Sequence, residues 1–167
     1  MNWCLATLPV GDTLGKSGDS AGAIQELQIA VAAAKNLTEK MPSNPEWQST
    51  LAYAHKMLGE TLVRQRDFAS ALTQFQAALA AVKELSAKDP ANSDWQLQAA
   101  WGHADVGMAL AIQGDVSGAL TESRSALAIL TMLTAKDPSN ATWQREVAVV
   151  HLNIGDYLSA RGDRMVR

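Results

Sequence analysis

The amino-acid sequence predicts an all-α protein built from repeated pairs of helices, and three observations predict it. Alanine and leucine dominate a chain that is 47% hydrophobic, and both residues favour helix. Several residue types recur together at a constant offset of 48 residues, which indicates a repeat architecture. The signals that begin and end helices keep the same offset, so each repeat is predicted to hold two helices joined by short turns.

Six residue types keep the 48-residue offset. They are Trp47, Trp95 and Trp143; Pro42, Pro90 and Pro138; Asn44, Asn92 and Asn140; His55, His103 and His151; Gly11, Gly59, Gly107 and Gly155; and Asp19, Asp67, Asp115 and Asp163. Chance does not place six residue types in register, so the chain is predicted to be one repeated unit. Residues 44–91 and 92–139 are complete copies, whereas 1–43 and 140–167 are incomplete, and we expect 1–167 to form a single solenoid.

The first helix of each copy, helix A, is predicted to begin at an asparagine. Asn44 is followed by Pro45 and Glu46, which is an N-cap side chain, a proline at the first helical position and an acid near the positive end of the helix dipole. The apolar residues of one helix face then follow at Trp47, Leu51, Ala54, Leu58 and Leu62. The helix is expected to end near residues 65–67.

The same break in the other copies is a glycine–aspartate pair. The pairs are Gly18–Asp19, Gly114–Asp115 and Gly162–Asp163. Glycine suits the left-handed position that closes a helix, and the aspartate caps the next one.

The second helix of each copy, helix B, follows this break. In the second copy its apolar positions are Ala71, Leu72, Phe75, Ala78, Leu79, Val82 and Leu85. It is expected to stop at residues 88–90, because Pro90 cannot continue a helix. Neither helix can bury its apolar stripe alone, so neighbouring copies must stack. Repetition along the chain gives about seven antiparallel helices, the last from about Ala141 to Ala160.

These residues resemble the tetratricopeptide repeat family. The family's helix A pattern is met by His55, Leu58–Gly59 and Leu62, and its small–aromatic–small helix B pattern is met by Ala71, Phe75 and Ala78. Histidine replaces the usual tryptophan, Lys83 replaces the usual proline, and the period exceeds the family's 34 residues. The sequence is therefore similar to long-helix members, such as bacterial repeat arrays and kinesin light chain repeats. The resemblance implies a right-handed α-solenoid that binds proteins or peptides and is not an enzyme.

The resemblance also implies where a partner would bind, because helix A lines the concave groove of the family. The main matching positions are Tyr53, Lys56, Glu60, Arg64, Trp101, Met108, Ile112 and Leu152. Further matching positions are Leu5, Leu8, Asp12, Lys16, Val63, Ala104, Ala111, Val149 and Asp156. Large apolar residues on such a face are typical of interfaces; the alternative is that this face packs within the protein. Glu60 stands where peptide-clamp members need asparagine, so capture of a terminal carboxylate is not expected.

The histidines and the single cysteine are the candidates for chemistry. Equivalent residues on successive helices lie about 8–10 Å apart or more, whereas zinc holds nitrogen ligands at about 2.0 Å. His55, His103 and His151 therefore should not share a metal, and Cys4, in phase with small residues, should be packed. Trp47, Trp95 and Trp143 should pack between copies, although they could instead stack on a ligand. We expect no catalytic residue, metal or cofactor.

The charge and the chain ends complete the expectations about partners. A net charge of −3 without a basic cluster argues against nucleic acid. No apolar run approaches the roughly 20 residues that span a bilayer, so we expect no membrane association and a cytoplasmic protein. The last helix A lacks a helix B, which leaves Ile154, Leu158 and Val149–Val150 without a partner. This predicts either a homo-oligomer formed through the chain ends or a chain cut from a longer array.

Overall fold

A computed structural model describes the backbone of residues 20–165 and the side chains of residues 21–162. These residues form α-helices and turns without a strand, which confirms the all-α helical repeat fold. The six helices in the described part are α1 (Ser20–Lys40), α2 (Pro45–Arg64), α3 (Phe68–Lys88), α4 (Ser93–Ile112), α5 (Val116–Lys136) and α6 (Ala141–Met165). The expected helix A of the first copy, with Cys4, Leu5, Leu8, Asp12 and Lys16, lies outside the described residues.

The helix A segments begin at the asparagines that the sequence indicates. The Asn44 side chain accepts a hydrogen bond from the Glu46 N–H at 2.9 Å. The Asn92 side chain accepts from the backbone N–H of Trp95 at 3.2 Å, and Asn140 accepts from that of Trp143 at 3.2 Å. Each bond satisfies a backbone donor that the first helical turn leaves free. The predicted starts of α2, α4 and α6 are therefore confirmed.

Each complete copy turns from helix A to helix B through one residue in the left-handed conformation. Gly114 takes it with φ 89°, and Arg66 takes it at the same repeat position with φ 62°. The following N–H groups, of Asp67 and Asp115, each donate at 2.9 Å to the carbonyl five residues before. This pattern closes the end of an α-helix.

The aspartate after each turn caps helix B. Asp67 accepts from the Ser70 N–H at 3.1 Å, and Asp115 accepts from the Gly118 N–H at 2.8 Å. Hydrogen bonds from the side chain and backbone of Ser70 lower the pKa of Asp67. An aspartate that starts helix B is therefore held in its ionised form, which the positive end of the helix favours.

The chain divides into two compact units, residues 1–85 and residues 86–167. In the first unit α1 packs on α2, and Leu27, Phe75 and Leu85 are fully buried. In the second unit α5 packs against both α4 and α6. Its core consists of Leu97, Ala100, Ala126, Leu130, Leu133 and Val150. Each core is formed mainly by small and aliphatic side chains, which let helices approach closely.

The end of α6 differs from the prediction. The sequence predicts a break at Gly162–Asp163, but the helix continues to Met165. At the equivalent Gly114 the chain turns into α5, a 21-residue helix that packs back on α4. Only five residues follow Gly162 in this sequence, too few to form a second packed helix, so tertiary contacts do not favour a turn there.

Candidate functional site

The predicted groove positions of the second copy form a mixed surface on α2. Tyr53, Lys56, Glu60 and Arg64 follow one side of the helix, and Tyr53 and Arg64 are exposed. The Lys56 ammonium lies 2.6 Å from a Glu60 carboxylate oxygen. Because this ion pair neutralises both charges, the α2 surface offers a tyrosine ring and an arginine more than a free lysine.

The same positions on α4 are apolar. Trp101, Met108 and Ile112 are separated by seven and four residues, a spacing that places them on one side of an α-helix. All three are exposed, Trp101 by 37%. Within this unit α4 and α6 also contact each other, and on α6 the equivalent Leu152 is 69% exposed. The second unit therefore presents large apolar side chains to solvent on two neighbouring helices.

The repeat positions show how this surface changes from copy to copy. One position holds Tyr53, Trp101 and Val149; the next Lys56, Ala104 and Leu152; the next Glu60, Met108 and Asp156; and the last Arg64, Ile112 and Ala160. The chemistry is polar on α2 and apolar on α4. Exposed aromatic and methionine side chains are enriched in the cores of protein interfaces, so this surface has the composition of a docking site.

The histidines join helix A to helix B. His55 Nδ1 donates to Gln74 Oε1 at 2.7 Å, and His103 Nδ1 donates to Glu122 Oε2 at 2.6 Å. Each acceptor lies 19 residues after its histidine. His151 is exposed on α6. Side chains of the described residues form no group of three or more potential metal ligands among His, Cys, Asp and Glu. His55 and His103 therefore have a structural role in pairing the two helices.

Sequence reasoning missed the partners of these histidines. Gln74 and Glu122 occupy the same repeat position, and both side chains have an oxygen acceptor. The 48-residue offset between an amide and a carboxylate was the signal that could have revealed them. It was easy to overlook because the two residue types differ.

Helix A and helix B approach most closely at the glycines of the Leu-Gly and Val-Gly pairs. A Cβ atom built on Gly59 would lie 2.7 Å from Phe75 Cε1, and one on Gly107 would lie 3.3 Å from the Ala119 carbonyl oxygen. A family model for the tetratricopeptide repeat matches residues 56–123, which include both contacts. This chain is a tetratricopeptide repeat protein. Tetratricopeptide repeats generally mediate protein–protein interaction, and the proteins that contain them are typically non-catalytic scaffolds.

Two further comparisons accompany the family match. The crystal structure of MamA protein aligns with this tetratricopeptide repeat chain at 14% sequence identity and a TM-score of 0.35. The alignment covers 95% of this chain and 87% of that chain. No curated protein matches the sequence.

The tryptophans that begin helix A pack inward. Trp143 packs with Val147 and Ile154 against the core of the second unit, as predicted for a contact between copies. The indole N–H of Trp47 is buried and has no hydrogen-bond partner among the described residues. These side chains contribute to packing between the tetratricopeptide repeats.

The second unit also has a shallow groove of about 260 Å³. It is lined by Pro90, Gln96, Ile129, Met132, Leu133 and Lys136. In the first unit the Gln48 amide donates to the Glu84 carboxylate, but Met132 occupies the position equivalent to Glu84. The groove is open and below the size typical of small-molecule pockets, roughly 300–1,000 Å³, so its geometry does not favour a cofactor.

Two other features bear on the kind of partner. Burial of Tyr157 on α6, with the charge of Asp156 beside it, raises the pKa of the Tyr157 hydroxyl, so this group stays neutral at physiological pH. In the part of the chain that the structure describes, no helix combines the length and the apolar character that crossing a bilayer requires.

Proposed function

We propose that this tetratricopeptide repeat chain is a non-catalytic scaffold that binds a protein or peptide on the groove side of helix A. The observation that supports this proposal most strongly is the stripe of Trp101, Met108 and Ile112 exposed on α4. Solvent exposure of three large apolar side chains on one helix face is unfavourable unless a partner covers them.

The composition of each helix suggests the chemistry of the partner. Trp101 and Met108 would accept an apolar segment, since a large aromatic ring and a flexible thioether adapt to varied side chains. On α2, Tyr53 and Arg64 would accept hydrogen-bond acceptors or a carboxylate. Lys56 is already paired with Glu60, which argues against a clamp that depends on a free lysine.

Replacement of Trp101 and Met108 with alanine tests this proposal. We expect the double variant to lose capture of a partner from an extract of the source cell, because truncation of central interface residues costs about 2 kcal/mol or more. Circular dichroism should show unchanged helix content, since both side chains are exposed. Met132→Ala is the matched control, because Met132 is exposed on a different helix. Equal capture by the wild type and the double variant would refute the groove assignment.

Self-assembly is the second candidate function. Val149, Leu152 and Leu158 on α6 are exposed, and an apolar helix at the edge of a repeat array favours association. Sedimentation equilibrium separates the two candidates: a dimer or larger species at micromolar concentration supports self-assembly, whereas a monomer at high concentration opposes it.

The non-catalytic part of the proposal rests on the histidines. The imidazoles of His55 and His103 are engaged with Gln74 and Glu122 and not with a nucleophile. Absence of nucleic-acid binding and a cytoplasmic location are likewise proposed from the acidic composition and the lack of an evident signal segment in the sequence.

A further inference from the structure

The side of α6 that corresponds to the helix B contact of the other copies is exposed. In α2, Gln48 and Ala52 are each only 3% exposed, and Gly59 is buried. In α4, Ala100 and Gly107 are buried. The equivalent residues of α6 are exposed: Gln144, Ala148, His151, Gly155 and Leu158. We call these five residues the α6 socket.

The surroundings of the repeated glycine show what is missing from the socket. A Cβ atom on Gly59 would collide with the Phe75 ring of α3, and one on Gly107 would be crowded by the α5 backbone. A Cβ atom on Gly155 would have nothing within 4 Å among the described residues. The same sequence position thus contacts a helix B in two copies and solvent in the third.

We propose that the α6 socket binds a helix from another polypeptide that has the helix B pattern of this chain. This pattern is a small residue, then glutamine or glutamate three residues later, then a packing residue, then a second small residue. In this chain it is met by Ala71, Gln74, Phe75 and Ala78, and by Ala119, Glu122, Ser123 and Ala126. The inference concerns a different surface from the groove on α4.

The socket has the groups needed to recognise this pattern. His151 supplies the imidazole that in the other copies donates to Gln74 or Glu122, so it selects an oxygen acceptor on the partner. Gly155 and Ala148 allow the partner backbone to approach closely, as Gly59 does for α3. Leu158, which is 42% exposed, supplies apolar area that the partner would remove from water.

A different polypeptide is the occupant because the helix B stripes of this chain are already used. Leu27 of α1, Phe75 of α3 and Ala119 of α5 are each at most 1% exposed. A second copy of the chain could offer one of these stripes only by breaking its own packing. A free amphipathic helix pays no such cost.

The first test measures binding of a synthetic peptide with the sequence of residues 68–88 to the full chain by fluorescence anisotropy. We expect saturable binding that Gly155→Leu weakens at least about tenfold, since the new side chain fills the space for the partner. His151→Ala should weaken binding about threefold or more through loss of one hydrogen bond. The thermal midpoint of the Gly155→Leu chain should not fall, because leucine favours helix and meets no atom.

Matched controls separate the socket from other surfaces. Ala160→Leu adds similar bulk to the opposite side of α6 and should leave the affinity unchanged. A peptide with Ala71→Leu and Ala78→Leu should bind at least about tenfold more weakly, although it is more apolar, because the close approach is lost. Bound peptide should slow hydrogen exchange in residues 141–162. The Trp101→Ala/Met108→Ala variant should bind the peptide normally, so failure of the groove proposal would be distinguishable.

Several results would overturn the proposal. They are absence of peptide binding, equal binding by the Gly155→Leu chain, and protection that appears in α2 or α4 instead of α6. A dimer of the chain that Gly155→Leu dissociates would also overturn it, because the occupant of the socket would then be a second copy.

Discussion

Gly59, Gly107 and Gly155 occupy one repeat position but have different neighbours. Gly59 faces the buried ring of Phe75, Gly107 faces the backbone of Ala119, and Gly155 faces open space. The residue is therefore required for close helix packing in the first two cases only. In α6 it retains only the cost that glycine imposes on a helix, about 1 kcal/mol relative to alanine.

This difference predicts opposite effects of one substitution. Gly155→Ala should raise the free energy of unfolding by about 0.8–1 kcal/mol through helix propensity alone. Gly59→Ala gains the same term but forces Phe75 to move, and overpacking of this kind costs about 1–3 kcal/mol. Urea denaturation should therefore rank Gly59→Ala below Gly155→Ala by about 1–3 kcal/mol. Equal stabilities would mean that the ring of Phe75 relaxes freely.

At the same scale, the sequence predicted some of the candidate site and missed other parts. The positions of Trp101, Met108, Ile112 and Leu152 follow from helix periodicity, and the structure leaves these side chains exposed; their role in binding stays a prediction. Gln74 and Glu122 were missed because a contact between residues 19 apart depends on how helix B folds back on helix A. Periodicity within one helix cannot show such a contact.

At the scale of a helix, the two turns between helix A and helix B solve the same problem with different residues. Arg66 and Gly114 both have positive φ values, and a non-glycine residue with a side chain pays about 1–2 kcal/mol for this conformation. The hydrogen bonds that close the two helices are the same. Arg66 is thus a locally unfavourable choice within a favourable turn.

Arg66→Gly is expected to stabilise the chain by up to about 1 kcal/mol, because it relieves the left-handed arginine at some entropic cost in the unfolded state. Gly114→Ala is the converse variant and should destabilise by about 1 kcal/mol or more. Thermal unfolding of the two variants beside the wild type measures both effects. Destabilisation by Arg66→Gly would show that the arginine side chain makes contacts worth more than the strain.

Helix boundaries were largely predictable because they depend on local chemistry. Asn44, Asn92 and Asn140 cap helices through residues only two or three positions away, so the sequence alone reveals them. The end of α6 was not predictable in this way. A glycine–aspartate pair stops helix A where helix B can pack back, and the pair after α6 lacks that tertiary support.

At the scale of the molecule, stability in a repeat protein is a sum over neighbouring contacts. Within the second unit, α5 contacts α4 on one side and α6 on the other, whereas α6 buries one side and exposes the α6 socket. The two helices should therefore open with different free energies.

Hydrogen exchange of the unbound chain should show this difference. We expect backbone amides in residues 147–160 to exchange about tenfold or more faster than those in residues 120–133, because fewer contacts must break to expose them. Exchange followed by mass spectrometry of the two segments provides the measurement, and Gly155→Ala should slow exchange in the first segment alone. Equal rates would indicate that the unit unfolds only as a whole.

The change along one repeat position, from Glu60 to Met108 to Asp156, has a consequence for how such a chain acquires specificity. The buried residues of each copy serve its own helix pair, so the outward residues are free to vary without disturbing the interior. An engineer could transplant Trp101, Ala104, Met108 and Ile112 onto α2 as a set. Recognition in this architecture is written one module at a time, and it can be rewritten in the same way.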